Sequence, residues 1–498
     1  MNIKRAKQEI KDTVQAYLLK DDEGEYVIPS IRQRPVLLMG PPGVGKTQIM
    51  EQAARECGIG LVAYTITHHT RQSAVGLPFI EKKQYGGREY TVTEYTMSEI
   101  VASIYDRIEE TGLKEGILFI DEINCVSETL APAMLQFLQC KTFGSHKIPE
   151  GWIIAAAGNP PEYNKSVREF DVVTLDRIKK ILVEPDLGVW KEYARKEHIH
   201  PAVISYLGIR ESYFCRIETT VDGKLFATPR GWEDLSQLIQ VYERLGKKAD
   251  REVIFQYIQH PKIAKDFANY LELYYKYQDE YQVEQILEGV IRESLCGQVA
   301  RAAFDERLSV EGLLLAKLSE GFGQLFTEYQ VMELVMGQLK AFQQEEQKED
   351  SAAVFLKLAE GFEEERLLEK KRGLLGRQED KVRRLAAVRL EGMAGLLRSS
   401  GLIDKEEAWQ CLRERFMEDS DRYEEQKEQW GRRLEYAFDF MEAAFGSGQE
   451  LVIFVTELNT SQVCIWFLEQ YECERYFRYN KELLFEEEER EIGKVLER

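Results

Sequence analysis

The sequence predicts an α/β fold: a nucleotide-binding core built on a parallel sheet flanked by helices, then a helical lid and a mostly α-helical C-terminal region. Three observations carry this. Residues Gly40 to Thr47 read GPPGVGKT, the phosphate-binding loop pattern, directly after the apolar run Val36 to Met39. Two further apolar runs, Ile117 to Ile120 and Trp152 to Gly158, lead straight into Asp121-Glu122 and Asn159, as strands buried on both faces do at the carboxyl end of a parallel sheet. Beyond about residue 282 the chain is rich in Leu, Glu, Lys and Arg, with helical character.

The phosphate loop comes first. Gly43 and Gly45 lack a Cβ, so backbone N–H groups can close around phosphate oxygens while a helix from about Lys46 aims its positive end at them. Gly40, Pro41, Pro42, Gly43, Val44, Gly45, Lys46 and Thr47 are therefore expected to hold a nucleoside triphosphate, ATP. Lys46 reaches the β- and γ-phosphates, and the Thr47 hydroxyl takes Mg2+.

The second run ends in two acids. Because a strand alternates its faces, Asp121 and Glu122 are expected to diverge, one orienting the hydrated Mg2+ and the other polarising the attacking water. An acid-ended strand is common alone; behind a phosphate loop it reads as hydrolysis. The third run delivers Asn159 to the same end of the sheet, where ligands gather. There it can hydrogen-bond the γ-phosphate or its water, although an Asn before Pro160 is by itself an ordinary turn former.

Phosphate loop, DE-ended strand, Asn-ended strand, Arg177 in TLDRI and Arg230 in ATPRGW, in that order, resemble an AAA+ ATPase, and the MoxR family most closely. The likeness runs across roughly the first 280 residues. It implies an AAA+ P-loop core over 1–185 with a hairpin insertion near 78–96, a lid over 186–281, and a C-terminal domain of unassigned role over 282–498. It implies that Thr47 and Asp121 hold Mg2+, partly through water, that Glu122 is catalytic, and that Asn159 is sensor 1. Arg177 then matches the arginine finger that reaches a neighbouring subunit's ATP, and Arg230 matches sensor 2. Arg168 and Arg210 stay open as rival fingers, since an isolated Arg is more often solvated or ion-paired. In the MoxR family DEIN, here Asp121 to Asn124, opens the helix after the acid strand. The family commonly continues with Arg-Ala, where this chain has Cys125 and Val126.

The resemblance further implies ATP hydrolysis within a ring of six, used to remodel a protein client, with a von Willebrand factor A-type domain protein as partner. Two other readings stand beside it: a nucleic-acid-directed AAA+ motor, and a binding module that uses ATP as an assembly switch. Phe79 to Tyr85 and Arg88 to Tyr95 alternate around Gly86-Gly87, a hairpin signal, and helical patterning resumes at about Ser98. A shorter candidate hairpin surrounds Gly144-Ser145. In MoxR-like and chelatase-like proteins both insertions face the pore of the ring; two plain surface hairpins are the alternative.

Composition bounds the rest. At 498 residues with 44% hydrophobic content the chain is too long for one core, and three domains are expected. A formal net charge of −20 and no obvious basic stripe disfavour nucleic acid as a partner, although a pore can be locally basic. The start MNIKRAKQEIKD lacks the apolar core of a signal peptide and no apolar run is long enough to span a membrane, so a cytoplasmic location is expected. Eight cysteines without C-x-x-C spacing read as reduced thiols. His68 and His69 would point to opposite faces of an extended segment, so no structural metal is expected.

After a last strand at Ile181 to Pro185, Leu187 to about Tyr281 reads as the helical lid, with a helix start at Thr228-Pro229. Tyr257, Phe267, Tyr270, Leu271, Tyr274 and Tyr275 form an aromatic stripe best explained as core. KLSEGF at Lys317 recurs as KLAEGF at Lys357, which falls short of the three copies a repeat array needs. Leu451 to Val455 reads as core of either helix or strand, and Glu486 to Glu491 as a solvated acidic helix.

Overall fold

In chain order the strands of the N-terminal part are β1 (Val36–Met39), β2 (Gly60–Thr65), a hairpin of β3 (Pro78–Tyr85) and β4 (Arg88–Tyr95), β5 (Gly116–Asp121), a short pair β6 (Thr142–Phe143) and β7 (His146–Lys147), β8 (Trp152–Gly158) and β9 (Lys179–Leu182). The computed structural model describes residues 1–68, 74, 76–143, 146–163, 170–221, 223–345 and 350–483. His69, Arg168, Gly144-Ser145 and Glu486 to Glu491 therefore lie outside the described residues.

Five strands form one parallel sheet in the order β2-β5-β8-β1-β9. Its central strands are buried on both faces, which is why they read as unbroken apolar runs. Alternate residues feed two cores. Leu37, Met39, Leu118, Ile120, Ile154 and Ala156 pack with helices α3 (Glu99–Thr111) and α4 (Ala131–Cys140), while Val36, Leu38, Ile117, Phe119, Ile153 and Ala155 pack with α1 (Ile3–Leu18) and α2 (Lys46–Glu56). Register then sets the site. Met39 lies opposite Gly158 and Thr65 opposite Asp121, so the chain leaves β1, β5 and β8 at one sheet end. The last strand begins two residues before the expected Ile181, because the Lys179 N–H already bonds Pro35 O at 2.8 Å.

The chain divides into two compact units: Met1–Val189 with Glu364–Asp380, and Trp190–Glu363 with Lys381–Arg498. Within the first, the end of the helix Ser351–Arg372 meets the end of α3. Arg107 donates to Arg372 O at 2.7 Å and Lys371 O at 3.4 Å, and Arg372 Nε donates back to Thr111 O at 2.9 Å. Each guanidinium thus caps the carbonyl end of the other helix, where unpaired C=O groups and the negative dipole end need a cation.

Among its described residues the second unit is helical apart from one hairpin, β10 (Arg216–Thr220) with β11 (Gly223–Ala227), which interrupts the lid that the sequence reads as helical. Gly223, which leaves the turn and pairs with Thr220, adopts φ 137°, a value open to glycine. The aromatic stripe is core: Phe267, Leu271 and Tyr274 are buried, and Phe267 meets the rings of Tyr206 and Trp232. The two 41-residue helices Phe304–Gln344 and Lys405–Phe445 pack through Gly321 and Phe322 against Trp430. At Gly361, the equivalent place of the second KLxEGF copy, an added Cβ would meet no other part of the structure within 4 Å, so the two copies are packed differently. Leu451 to Val455 is helical, within Gln449–Thr460, and buries Leu451, Phe454 and Val455.

Among the described residues no single helix is long and apolar enough to cross a membrane; a bent pair, Gln449–Thr460 and Gln462–Gln470 at 92°, has the length and composition, and buries Phe454, Leu458, Phe467 and Leu468 in protein. All eight cysteines are free thiols.

Candidate active site

Gly43 and Gly45 hold φ of 77° and 90°, left-handed values that turn the loop tightly onto the start of α2. Lys46 is the first residue of that helix and only 8% exposed, so its ammonium must find oxygens inside the protein. It donates to Gly40 O at 2.9 Å, to Pro41 O at 2.8 Å and to Asn159 Oδ1 at 2.9 Å. Thr47 Oγ1 donates to Asp121 Oδ2 at 2.9 Å. Two side-chain bonds thus join the loop after β1 to the ends of β5 and β8. A hydroxyl beside a carboxylate is an oxygen-only donor set that suits a hard divalent ion, and a buried ammonium held by neutral oxygens suits exchange to phosphate.

Strand alternation, expected to separate the two acids, stops at Asp121. Glu122 has left the strand and sits in the left-handed region at φ 55°, ψ 34°, with its N–H bonded to Asp121 Oδ1 at 2.9 Å. For a residue with a Cβ this conformation costs on the order of 1 to 2 kcal/mol, and such strain concentrates at functional positions. The expected helix start at DEIN is also corrected. Ile123–Cys125 forms a single 3-10 turn, Val126 is extended, and α4 begins only at Ala131, with Pro132 in its first turn where a missing N–H costs nothing.

Asn124 carries a contact that sequence reasoning left unassigned. Its Nδ2 donates to Asn159 O at 2.8 Å from a position 2% exposed. The signal available in the sequence was a lone amide in an otherwise apolar stretch after the acids.

Residues 36–175 match the family model described as ATPase family associated with various cellular activities, AAA. They are an AAA ATPase domain. Over 143 residues the chain is 30% identical to the ATPase family gene 2 protein homolog B of Mus musculus, covering 27% of this chain and 16% of that protein. The Bos taurus protein of the same name is 32% identical over 123 residues, or 24% and 12% of the two chains. The chain thus spans less than a fifth of the length of these relatives. A solved structure of a Thermotoga maritima RuvB mutant is similar over 52% of this chain and 69% of that one, at 16% identity and a TM-score of 0.28.

The AAA domain gathers Lys46, Thr47, Asp121 and Asn159 by direct bonds and places Glu122 next to them in sequence. Arg177 is apart. It lies exposed just beyond the matched segment, in the turn between Val172–Leu175 and β9, and donates to Gln139 Oε1 at the end of α4. Arg230 is exposed near the start of the helix Pro229–Arg244, whose cap is Thr228, in the second unit. Of the rivals for Arg177, Arg210 is ion-paired with Asp266 and Asp305 at 3.6 and 3.8 Å.

Proposed function

We propose that this chain hydrolyses ATP as a MoxR-type ring ATPase that remodels or activates a protein client, with a von Willebrand factor A-domain protein as partner. The observation that carries the reading is the pair of bonds from Lys46 to Asn159 and from Thr47 to Asp121, which brings the phosphate loop, the acid strand and the amide strand to one point.

In this reading Lys46 exchanges its carbonyl and amide oxygens for β- and γ-phosphate oxygens, and Asn159 Oδ1, freed of Lys46, turns to the γ-phosphate or the attacking water. Glu122 polarises that water, and its left-handed turn aims the carboxylate independently of Asp121. Thr47 and Asp121 would hold Mg2+, which when bound neutralises charge on the phosphate oxygens. AAA proteins commonly assemble into rings, and Arg177 is the finger offered to a neighbour, with Arg230 as sensor 2.

Client contact is assigned to the β3–β4 hairpin, which exposes Phe79, Ile80, Tyr85, Tyr90 and Tyr95 on a ribbon with an almost wholly exposed surface. The test is steady-state phosphate release by the wild type and Glu122→Gln, followed by capture of clients on the ATP-loaded variant. Loss of turnover with ATP retained and a protein captured supports the reading. Wild-type turnover by Glu122→Gln removes its catalytic assignment, and turnover stimulated by DNA alone overturns the protein-remodelling role.

A further inference from the structure

We infer that Asn124 is a positioning residue that fixes the backbone of Asn159, so that the Asn159 amide faces the reacting phosphate or water. The inference rests on the reading of Asn159 above.

Its basis is how the Asn124 amide is held at both ends. Asn159 O is an acceptor, so only Nδ2 can face it, and the 2.8 Å bond fixes the orientation of the amide. The other end, Oδ1, is buried and has no hydrogen-bond partner among the described residues. It rests on Gly158, where an added Cβ would lie 2.5 Å from Oδ1 and 2.9 Å from Cγ. Asn124 therefore occupies the space that a side chain at position 158 would need, flat against the strand end that leads into Asn159.

A buried acceptor without a donor is an expensive way to fill a space that leucine would fill with no polar atom at all. What the amide supplies and leucine cannot is a directed bond to the Asn159 backbone. Asn124 rides on the same 3-10 turn that Glu122 introduces, so the general-base candidate and the amide candidate share one support. Gly158 belongs to the same device, because the absence of its side chain lets Asn124 approach.

The experiment measures ATP turnover by Asn124→Leu, Asn159→Ala and the double variant, with folding checked by circular dichroism. Asn124→Leu is expected to lower kcat by roughly 10- to 100-fold, as a small misplacement of a reacting group does, with KM for ATP within about threefold. In the Asn159→Ala background the same change should cost nothing further, because the amide it positions is gone. An equal further loss in that background marks a merely structural role and overturns the inference. Wild-type turnover by Asn124→Leu beside a slowed Asn159→Ala overturns the inference alone. Wild-type turnover by Asn159→Ala overturns the Asn159 reading and this inference with it. Should Asn124→Leu fail to fold, Gly158→Ala drives a methyl into Oδ1 from the other side. The same selective loss of kcat is expected, and an unchanged kcat overturns the inference.

Discussion

Replacing Lys46 by alanine tests whether its ammonium is the phosphate cation, and the geometry sets the size of the effect. Two charge-assisted bonds to phosphate, at about 1.5 to 3 kcal/mol each, would suggest a gross loss of about 3 to 6 kcal/mol. That figure overshoots, because the wild-type lysine is not waiting free in solvent. It is buried and bonded to Gly40 O, Pro41 O and Asn159 Oδ1 at 2.8 to 2.9 Å, and those bonds must be given up before phosphate is engaged. Halving the gross figure for this exchange leaves roughly 1.5 to 3 kcal/mol, a 10- to 150-fold rise in Kd for ATP. Calorimetry in a Glu122→Gln background, where turnover does not blur the titration, measures it directly, with circular dichroism confirming the fold. An affinity within about threefold of Glu122→Gln alone refutes the role of Lys46.

Two further outcomes follow from other sites. Arg177→Ala should bind ATP yet lose hydrolysis, and mixing it with Glu122→Gln subunits should restore some activity, since one interface then holds an intact Glu122 and an intact finger; mixed assemblies that contain both variants by mass and stay inactive defeat the trans assignment. Burial pushes the Lys141 ammonium down from 10.5 to about 8, and its bonds go to the neutral oxygens of Ser30 and Gln33. Between pH 8 and 10.5 the unfolded chain holds a proton that the folded chain has released, so this group adds stability as pH rises, and its penalty is complete below pH 8. Lys141→Met should therefore gain up to about 3 kcal/mol over the wild type at pH 7 in urea unfolding, with the gap closing toward pH 10. A gap independent of pH would show that the charge is not what costs stability.

What was legible in the sequence was what burial forces on a strand. β1, β5 and β8 must be apolar on both faces, so their runs stand out, and the residues that end them mark the site. Glu122's left-handed turn was not legible, because nothing in a non-glycine residue announces a positive φ. Asn124 was visible as part of DEIN, but its bond to Asn159 spans 35 positions and needs β5 and β8 to be neighbours before it can be seen. The β10–β11 hairpin falls inside the stretch from Leu187 to about Tyr281 that reads as a helical lid, because two five-residue strands are too short to stand out against the helical patterning on either side. Arg177 poses a different problem: the trans role proposed for it would leave its mark only in an assembly, and within one chain it is an exposed arginine bonded to Gln139.

The exchange of caps between Arg107 and Arg372 has a bearing on synthesis. The unit that contains the phosphate loop includes Glu364–Asp380, so its last pieces leave the ribosome 191 positions after Val189. At about 5 to 20 residues per second, that is a wait of roughly 10 to 40 s. For nearly all of it the Thr111 carbonyl at the end of α3 lacks the Arg372 guanidinium, and Arg107 lacks the helix end it caps. The nascent sheet can form in that interval, but α3 stays unfastened at the end far from the β3–β4 hairpin it follows. A ribosome stalled before residue 372 therefore displays a nucleotide fold with one helix end still open to water, and completion of that fold is timed by a stretch of sequence that contributes nothing to the phosphate loop itself.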